Sequence, residues 1–348
     1  MPKRSFHPRS LAAQAMGKID PLTKGVVPPI HVSTTYIRDE DNGYSGGFVY
    51  GRPDNETTRE AESVLAMLEQ AQAGALLFGS GMAAATAVFQ ALSPGDHVVA
   101  SKVMYWALRS WLLTEATRWG LVIDFVETDD LAALQAAVKP GKTKLVWAET
   151  PSNPLWTITD IAAAAEIAHK AGAKLAVDST CASPVHTRPL QLGADIVMHA
   201  ATKVLNGHSD VVAGALCARE DDEFWNRIKT VRKGQGGILG PFEAYLLMRG
   251  MRTLHVRQER QSASAMALCE LSSKKARRNT SAWSGGRVWS AARTAMAHGI
   301  IAEDVAGLAL ASAIDEERAQ PASVPAIAAM RDVVGRALPR LWAVAAAC

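Results

Sequence analysis

Lys203 stands in the run HAATKVLNGHSD (199–210), just past an apolar segment and among small neighbours that leave its ammonium group open to a ligand. A lysine whose charge is partly desolvated beside an anion site gives up its proton readily and attacks an aldehyde carbon. Twenty-five residues earlier, KLAVDST (174–180) delivers Asp178 at the end of a hydrophobic run. A carboxylate in that place can pair with a protonated pyridine nitrogen and keep the ring electron-withdrawing. FGSGMAA (78–84) follows a third apolar run and opens a helical pattern. Its small side chains leave the amides of Ser80, Gly81 and Met82 uncovered at a positive helix end, an anion cup suited to phosphate. ETPSNP (149–154) supplies Asn153, a partner for a phenolic oxygen, and Tyr105 in KVMYWALRS offers a ring that can stack on a flat ligand or pass a proton.

Singly, each feature has a plainer reading. A lone lysine is usually a solvated charge, an aspartate at a strand end a cap or ion-pair partner, FGSGMAA a tight turn into a helix, ETPSNP turn chemistry and Tyr105 a core aromatic. Together, an amine and an acid at successive strand ends beside a phosphate cup fit a phosphorylated pyridine aldehyde. Two other patterns are discarded. GKT at 141–143 lacks the glycine a phosphate-binding P-loop needs at position 136, which is Ala, and an apolar strand pattern follows where that motif needs a helix. His208, Ser209 and Asp210 are consecutive and cannot form a hydrolytic triad through their own spacing.

The elements that must carry these residues alternate. Short apolar runs occur at 75–78, 97–100, 121–126, 144–149, 174–178 and 195–199, with amphipathic stretches of helical length between most of them, such as 161–171. That alternation predicts βαβ units and a mostly parallel sheet with helices on both faces, whose ligands bind at the carboxyl ends of the strands. Residues 1–60, rich in Pro, Gly and Thr, read as an extended N-terminal arm, 61–257 as one large domain, and 258–348 as a divergent C-terminal region.

With 48% hydrophobic and 20% charged residues in 348, and a net charge of +3 spread along the chain, composition supports a globular core and gives no basis for nucleic-acid or membrane-surface binding. Four scattered cysteines show no metal-ligand spacing and read as free thiols in a reducing compartment. Neither a secretory signal nor a membrane-spanning run is found, so a cytoplasmic protein acting on a small molecule is expected.

Over about Lys24 to Glu270 these motifs, in order, resemble the Cys/Met-metabolism (trans-sulfuration) family of pyridoxal phosphate enzymes, which includes cystathionine γ-synthase, the cystathionine lyases, methionine γ-lyase and the O-acylhomoserine sulfhydrylases. PPIHVSTTY (28–36) is similar to the family's arm and QGGILGPFEAYLLMRGMRTLHVR (235–257) to its lead into the C-terminal domain. The resemblance implies a fold-type I, aspartate-aminotransferase-like α/β fold with pyridoxal 5′-phosphate as cofactor. It makes Lys203 the Schiff-base lysine and proton carrier, Asp178 the partner of the ring nitrogen, and Tyr105 the stacking tyrosine. Ser80, Gly81, Met82 and Thr202 would hold the phosphate, with Asn153 and Thr180 completing the cofactor core. YGR (50–52) is similar to the family's Tyr-x-Arg motif, so that Tyr50, an assisting catalytic tyrosine, and Arg52 would reach the cofactor phosphate of a neighbouring subunit in a homodimer or homotetramer with shared active sites.

The sequence departs from the family pattern at Ala200, where a serine is usual, and at Val204, where a tyrosine is usual. After Glu270 the family's substrate-carboxylate arginine segment is not recognisable. From Ser272 onward 21 of 77 residues are Ala and none is Phe or Tyr, as expected of a GC-rich gene read in another frame. The activity implied is γ-replacement on an O-acyl-L-homoserine by cysteine or another thiol, as in cystathionine γ-synthase. A cystathionine β- or γ-lyase and an O-succinylhomoserine sulfhydrylase stand beside it, and, from another class, a chain that binds the cofactor without turnover. Resequencing the locus is expected to yield a frame-restored continuation carrying the missing arginine segment; a gene confirmed as written, with no such frame, would remove the frame reading.

Overall fold

The computed structural model describes residues 7–279. Short α1 (Pro8–Ala13) precedes a stretch with little regular structure, in which Thr35 and Tyr50 form an isolated antiparallel bridge. The chain then runs through α2 (Glu56–Glu69), β1 (Ala75–Phe78), α3 (Gly81–Gln90), β2 (His97–Ser101), α4 (Trp106–Trp111), β3 (Val122–Val126) and α5 (Leu131–Ala137). It continues with β4 (Thr143–Glu149), α6 (Ile161–Lys170), β5 (Lys174–Asp178), α7 (Ser183–His186) and β6 (Ile196–His199). β7 (Gly214–Ala218), α8 (Glu223–Gln235), α9 (Pro241–Met251) and α10 (Leu254–Asn279) follow.

The helices start where side chains can take up orphan amides. Asn55 accepts from Thr57 and Thr58 ahead of α2, Ser80 from Ala83 at α3, Asp160 from Ala163 at α6 and Asp222 from Trp225 at α8. The strands form one seven-stranded sheet in the order β1-β7-β6-β5-β4-β2-β3, parallel except that β7 lies antiparallel to both β6 and β1. Successive side chains of each strand feed opposite faces. Phe78, Trp147, Ala176 and Met198 pack with α3, α4 and α8, whereas Leu77 and Val197 pack with α2 and α9, and Val146 and Val177 with α5 and α6.

This is the mostly parallel, doubly covered α/β sheet that alternation predicts, and the six apolar runs are its first six strands. β7 is the strand the sequence pattern does not disclose: GALCA carries no β-branched residue, and its pairing comes from tertiary context. Helix α1, inside the segment read as an extended arm, is likewise not foreseen. The boundary read at 257/258 falls inside α10, and the first eight residues of the segment set apart at Ser272 continue that helix. The rest of that segment lies outside the described residues.

Beneath the sheet, the fully buried His199 at the end of β6 and Glu69 at the end of α2 meet, Nε2 to Oε1, at 2.6 Å. Removing one partner leaves a polar group stranded in the core. We expect Glu69→Ala to lower unfolding free energy by about 3 kcal/mol in urea titrations at neutral pH; a loss under about 1 kcal/mol would mean that the pair is not stabilising the core.

Candidate active site

The carboxyl ends of β4, β5 and β6 lie side by side, with Glu149 in register with Asp178 and Asp178 with Met198. Asp178 is buried, and its Oδ1 accepts from both the backbone N–H (3.0 Å) and the hydroxyl (2.6 Å) of Thr180. Among the described residues no hydrogen bond falls on Oδ2, which leaves that oxygen for a ligand cation. Burial raises the Asp178 carboxyl above its ordinary range, opposed by the Thr180 bonds and by His199.

Thr180 connects this strand end to the lysine. Its Oγ1 also accepts from the N–H of Ala200 at 2.8 Å, the residue that opens the turn carrying Lys203. That turn is wound by backbone bonds from Lys203 to Ala200 (3.0 Å), from Asn206 to Ala201 (3.0 Å) and from Gly207 to Lys203 (2.8 Å). Lys203 is half-buried, and among the described residues its ammonium group has no ion-pair partner. Thr202 anchors the turn instead of facing outward: its Oγ1 donates to the Ala213 carbonyl (3.1 Å) and accepts from the Ala213 N–H (3.0 Å). The Thr202 hydroxyl thus bonds both backbone groups of Ala213.

The anion cup is brought to the same place by close packing. A Cβ on Gly81 would stand 2.9 Å from Cβ of Ala200, so the start of α3 presses directly on the lysine turn, and only glycine fits there. A Cβ on Gly214 would meet the Ser80 carbonyl at 2.0 Å, which fixes the cup against β7. Ser80, Gly81 and Met82 therefore lie beside Ala200 and the turn to Lys203, as their spacing could not reveal.

Tyr105 and Asn153 approach from the neighbouring loops. Tyr105 is 41% exposed, which leaves its ring available to a ligand, and Asn153 is exposed as well. The N–H groups of both donate to one carboxyl, that of buried Glu149: Oε2 takes Tyr105 at 2.7 Å and Oε1 takes Asn153 at 2.8 Å. Glu149 went unremarked within ETPSNP, although an acid closing the otherwise apolar LVWAE was a signal for it. Arg257 was also missed. Its guanidinium donates to the carbonyls of Val204 (2.7 Å) and Gly250 (2.8 Å), tying α9 and α10 to the end of the lysine turn.

Tyr50 and Arg52 stand apart. Tyr50 is 45% exposed, the Arg52 guanidinium lies 5.8 Å from its ring centre, and Arg52 donates to the Lys233 carbonyl. No contact among the described residues links either to Lys203 within the chain. In the same residues no cluster of three or more His, Cys, Asp or Glu is placed to hold a metal, and no helix is long and apolar enough to cross a membrane.

The family model described as Cys/Met metabolism PLP-dependent enzyme matches residues 9–283. Cystathionine gamma-synthase of Mycobacterium tuberculosis is 43% identical over 264 residues, which are 76% of this chain and 67% of that protein. Cystathionine gamma-lyase of Dictyostelium discoideum is 39% identical over 255 residues, 73% of this chain and 65% of that protein. The crystal structure of metB from Corynebacterium glutamicum superposes with a TM-score of 0.75 at 34% identity, covering 83% of this chain and 76% of that one. The residues present fit such a cofactor. The start of α3, seated by Gly81 against the lysine turn, suits a phosphate, and the buried acid with one oxygen to spare suits a ring nitrogen.

Burial, and then the neighbouring Asp178, push the Glu149 carboxyl up to about 8, against its two N–H donors. The folded protein keeps this proton up to about pH 8, whereas an unfolded glutamic acid releases it near 4.5. Its contribution to stability is therefore fully present below the unfolded value and lost as pH rises through the folded one. The stability of the cofactor-free wild type minus that of Glu149→Gln should fall by up to roughly 1.4 kcal/mol per pH unit between about pH 5 and 8. Denaturation series at several pH values would measure it, and a flat difference would contradict the raised pKa.

Proposed function

We propose that this chain, which belongs to the Cys/Met metabolism PLP-dependent enzyme family and is thus a pyridoxal 5′-phosphate enzyme of trans-sulfuration, catalyses γ-replacement on an O-acyl-L-homoserine by cysteine or a similar thiol. One observation carries the site assignment. The contact of Gly81 with Ala200 sets the anion cup against the turn bearing Lys203, while Thr180 ties that turn to Asp178. The preference for γ-replacement over elimination rests on likeness to the gamma-synthase, which is more similar to this chain than the gamma-lyase is.

When bound, pyridoxal phosphate supplies an aldehyde and an electron-withdrawing ring that accepts negative charge from a substrate carbon. Lys203 Nζ holds that aldehyde and, once exchanged for a substrate amine, carries protons to and from the substrate as general base and acid. Asp178, through its open oxygen, keeps the ring nitrogen protonated. The amides of Ser80, Gly81 and Met82 hold the phosphate at the start of α3. Tyr105 covers the ring face and excludes water, and Asn153 bonds the ring hydroxyl. Tyr50 and Arg52, unconnected to Lys203 within the chain, serve the phosphate of a second copy, which makes a homo-oligomer with shared sites the working form. The cytoplasm is the compartment that fits.

Borohydride treatment of protein loaded with pyridoxal phosphate should fix a pyridoxyl group on Lys203, and Lys203→Ala should take none. Wild type given O-succinyl-L-homoserine and cysteine should form cystathionine, with Lys203→Ala lower by on the order of 10²–10⁴-fold. Release of pyruvate or 2-oxobutyrate from cystathionine, with no synthesis, would replace the synthase reading by a lyase. Cofactor binding with neither product would leave the chain a binder without turnover.

A further inference from the structure

Glu149 is a buried acid placed in register with a second buried acid, Asp178, and among the described residues neither has a basic ion-pair partner. Two like groups sharing a low-dielectric end of a sheet disfavour each other's charge, so the arrangement works against folding. Its geometry indicates what it does. The two carboxyl oxygens each receive one backbone N–H, and the donors come from different loops: Tyr105, 44 positions away in sequence, and Asn153, four positions on.

The backbone that carries this carboxyl is itself held. The Glu149 N–H donates to Ser101 Oγ at 3.1 Å, and a buried chain of hydroxyls continues from Ser101 to Thr128 (2.8 Å) and from Thr128 to Thr159 (2.9 Å). Behind it, the Thr159 N–H donates to Thr150 Oγ1 at 3.0 Å, closing the loop that holds Asn153. A carboxyl at the end of β4 presents an oxygen to each of these two amides, and the two oxygens become equivalent acceptors when it ionises; a glutamine would accept one and turn its own N–H₂ toward the other.

We propose that Glu149 is a positioning residue: its carboxyl clasps the loops of Tyr105 and Asn153 at a fixed distance from Asp178 and so sets the slot that receives the flat cofactor ring. The proposal rests on the reading above, in which the Tyr105, Asn153 and Asp178 side chains face one cofactor. The clasp acts through the backbone of 105 and 153, so it survives when their side chains are cut to alanine. A cationic ring nitrogen on Asp178 would also relieve the repulsion between the two acids, so a filled slot favours the ionised clasp.

Pyridoxal phosphate binding, followed by the visible absorbance of the loaded protein, tests this in a cycle of Glu149→Gln with the double variant Tyr105→Ala/Asn153→Ala. Glu149→Gln should weaken binding about ten-fold in the wild-type background. In the double variant, where neither side chain on the clasped loops remains to be misplaced, it should weaken binding by less than about two-fold. Equal weakening in both backgrounds, or none in either, would overturn the clasp. A double variant that binds like wild type would overturn the clasp and the underlying reading together; this is distinct from the clasp failing alone, where the double variant weakens binding and Glu149→Gln does not. If Glu149→Gln does not fold, hydrogen exchange in the unaltered protein decides. Amides of 105 and 153 protected like those of β4 support the clasp, and exchange at the rate of exposed loop amides refutes it.

Discussion

The site depends on how closely two stretches of backbone approach beneath the start of α3. At Gly214 the first residue of β7 passes so near the Ser80 carbonyl that any side chain would collide, and at Gly81 the first turn of the helix rests on Ala200. Both contacts need the absence of a Cβ, and both are needed together. Gly214 lets the antiparallel strand enter between β1 and β6, and Gly81 lets the helix settle on the turn that leaves β6. If either backbone backed away by the width of a methyl group, the amides of the cup would move away from the lysine turn. The small residue at 200, unusual for the family, is consistent with this tight seat.

Across the sheet, charge is distributed unequally between its two edges. At the edge where β5 and β6 begin, buried Asp195 is surrounded by partners: His169 at 2.7 Å, Arg219 at 3.1 Å, Lys174 at 3.3 Å and the Leu175 N–H at 2.8 Å. At the opposite edge Glu149 and Asp178 are as well buried but receive only N–H and hydroxyl donors. The first edge is electrostatically satisfied and contributes to stability. The second is left short of positive charge, which is what a site for a cationic ring nitrogen and a lysine amine requires. A single strand of five residues, β5, thus joins a structural end to a reactive end.

Much of this was legible from residue order. Six strands stood out because strands of a mostly parallel sheet read as short apolar runs, and Lys203, Asp178 and the cup drew notice because small residues and strand ends mark them. What escaped has a common cause. β7, Glu149, Arg257 and the engaged hydroxyl of Thr202 owe their roles to partners distant in the chain: β1 and β6 for the strand, Tyr105 for Glu149, Val204 and Gly250 for Arg257, Ala213 for Thr202. Local pattern reports what a residue is suited to do, not which of several suitable partners reaches it first. Thr202 illustrates this: beside the strand end its hydroxyl suits a phosphate, and the sequence gives no sign that it also bonds the backbone of Ala213.

Arg257 shows how far along the chain the cofactor-facing half of the site extends. Its guanidinium caps the Val204 carbonyl and reaches back to Gly250, while Gly250 lies against Asn206, whose carbonyl a Cβ there would meet at 2.3 Å. Gly207 completes the exit from the turn at φ +69°, beneath the same guanidinium, where a side chain would clash. The lysine turn is therefore closed from behind by α9 and the first turn of α10, more than 40 residues after Lys203. A segment that in sequence resembles only a lead into another domain is structurally the rear wall of the lysine turn. Holding the cofactor and orienting the substrate thus draw on different parts of the chain: the first is finished by Arg257, while the arginine segment that family likeness assigns to the second would come later.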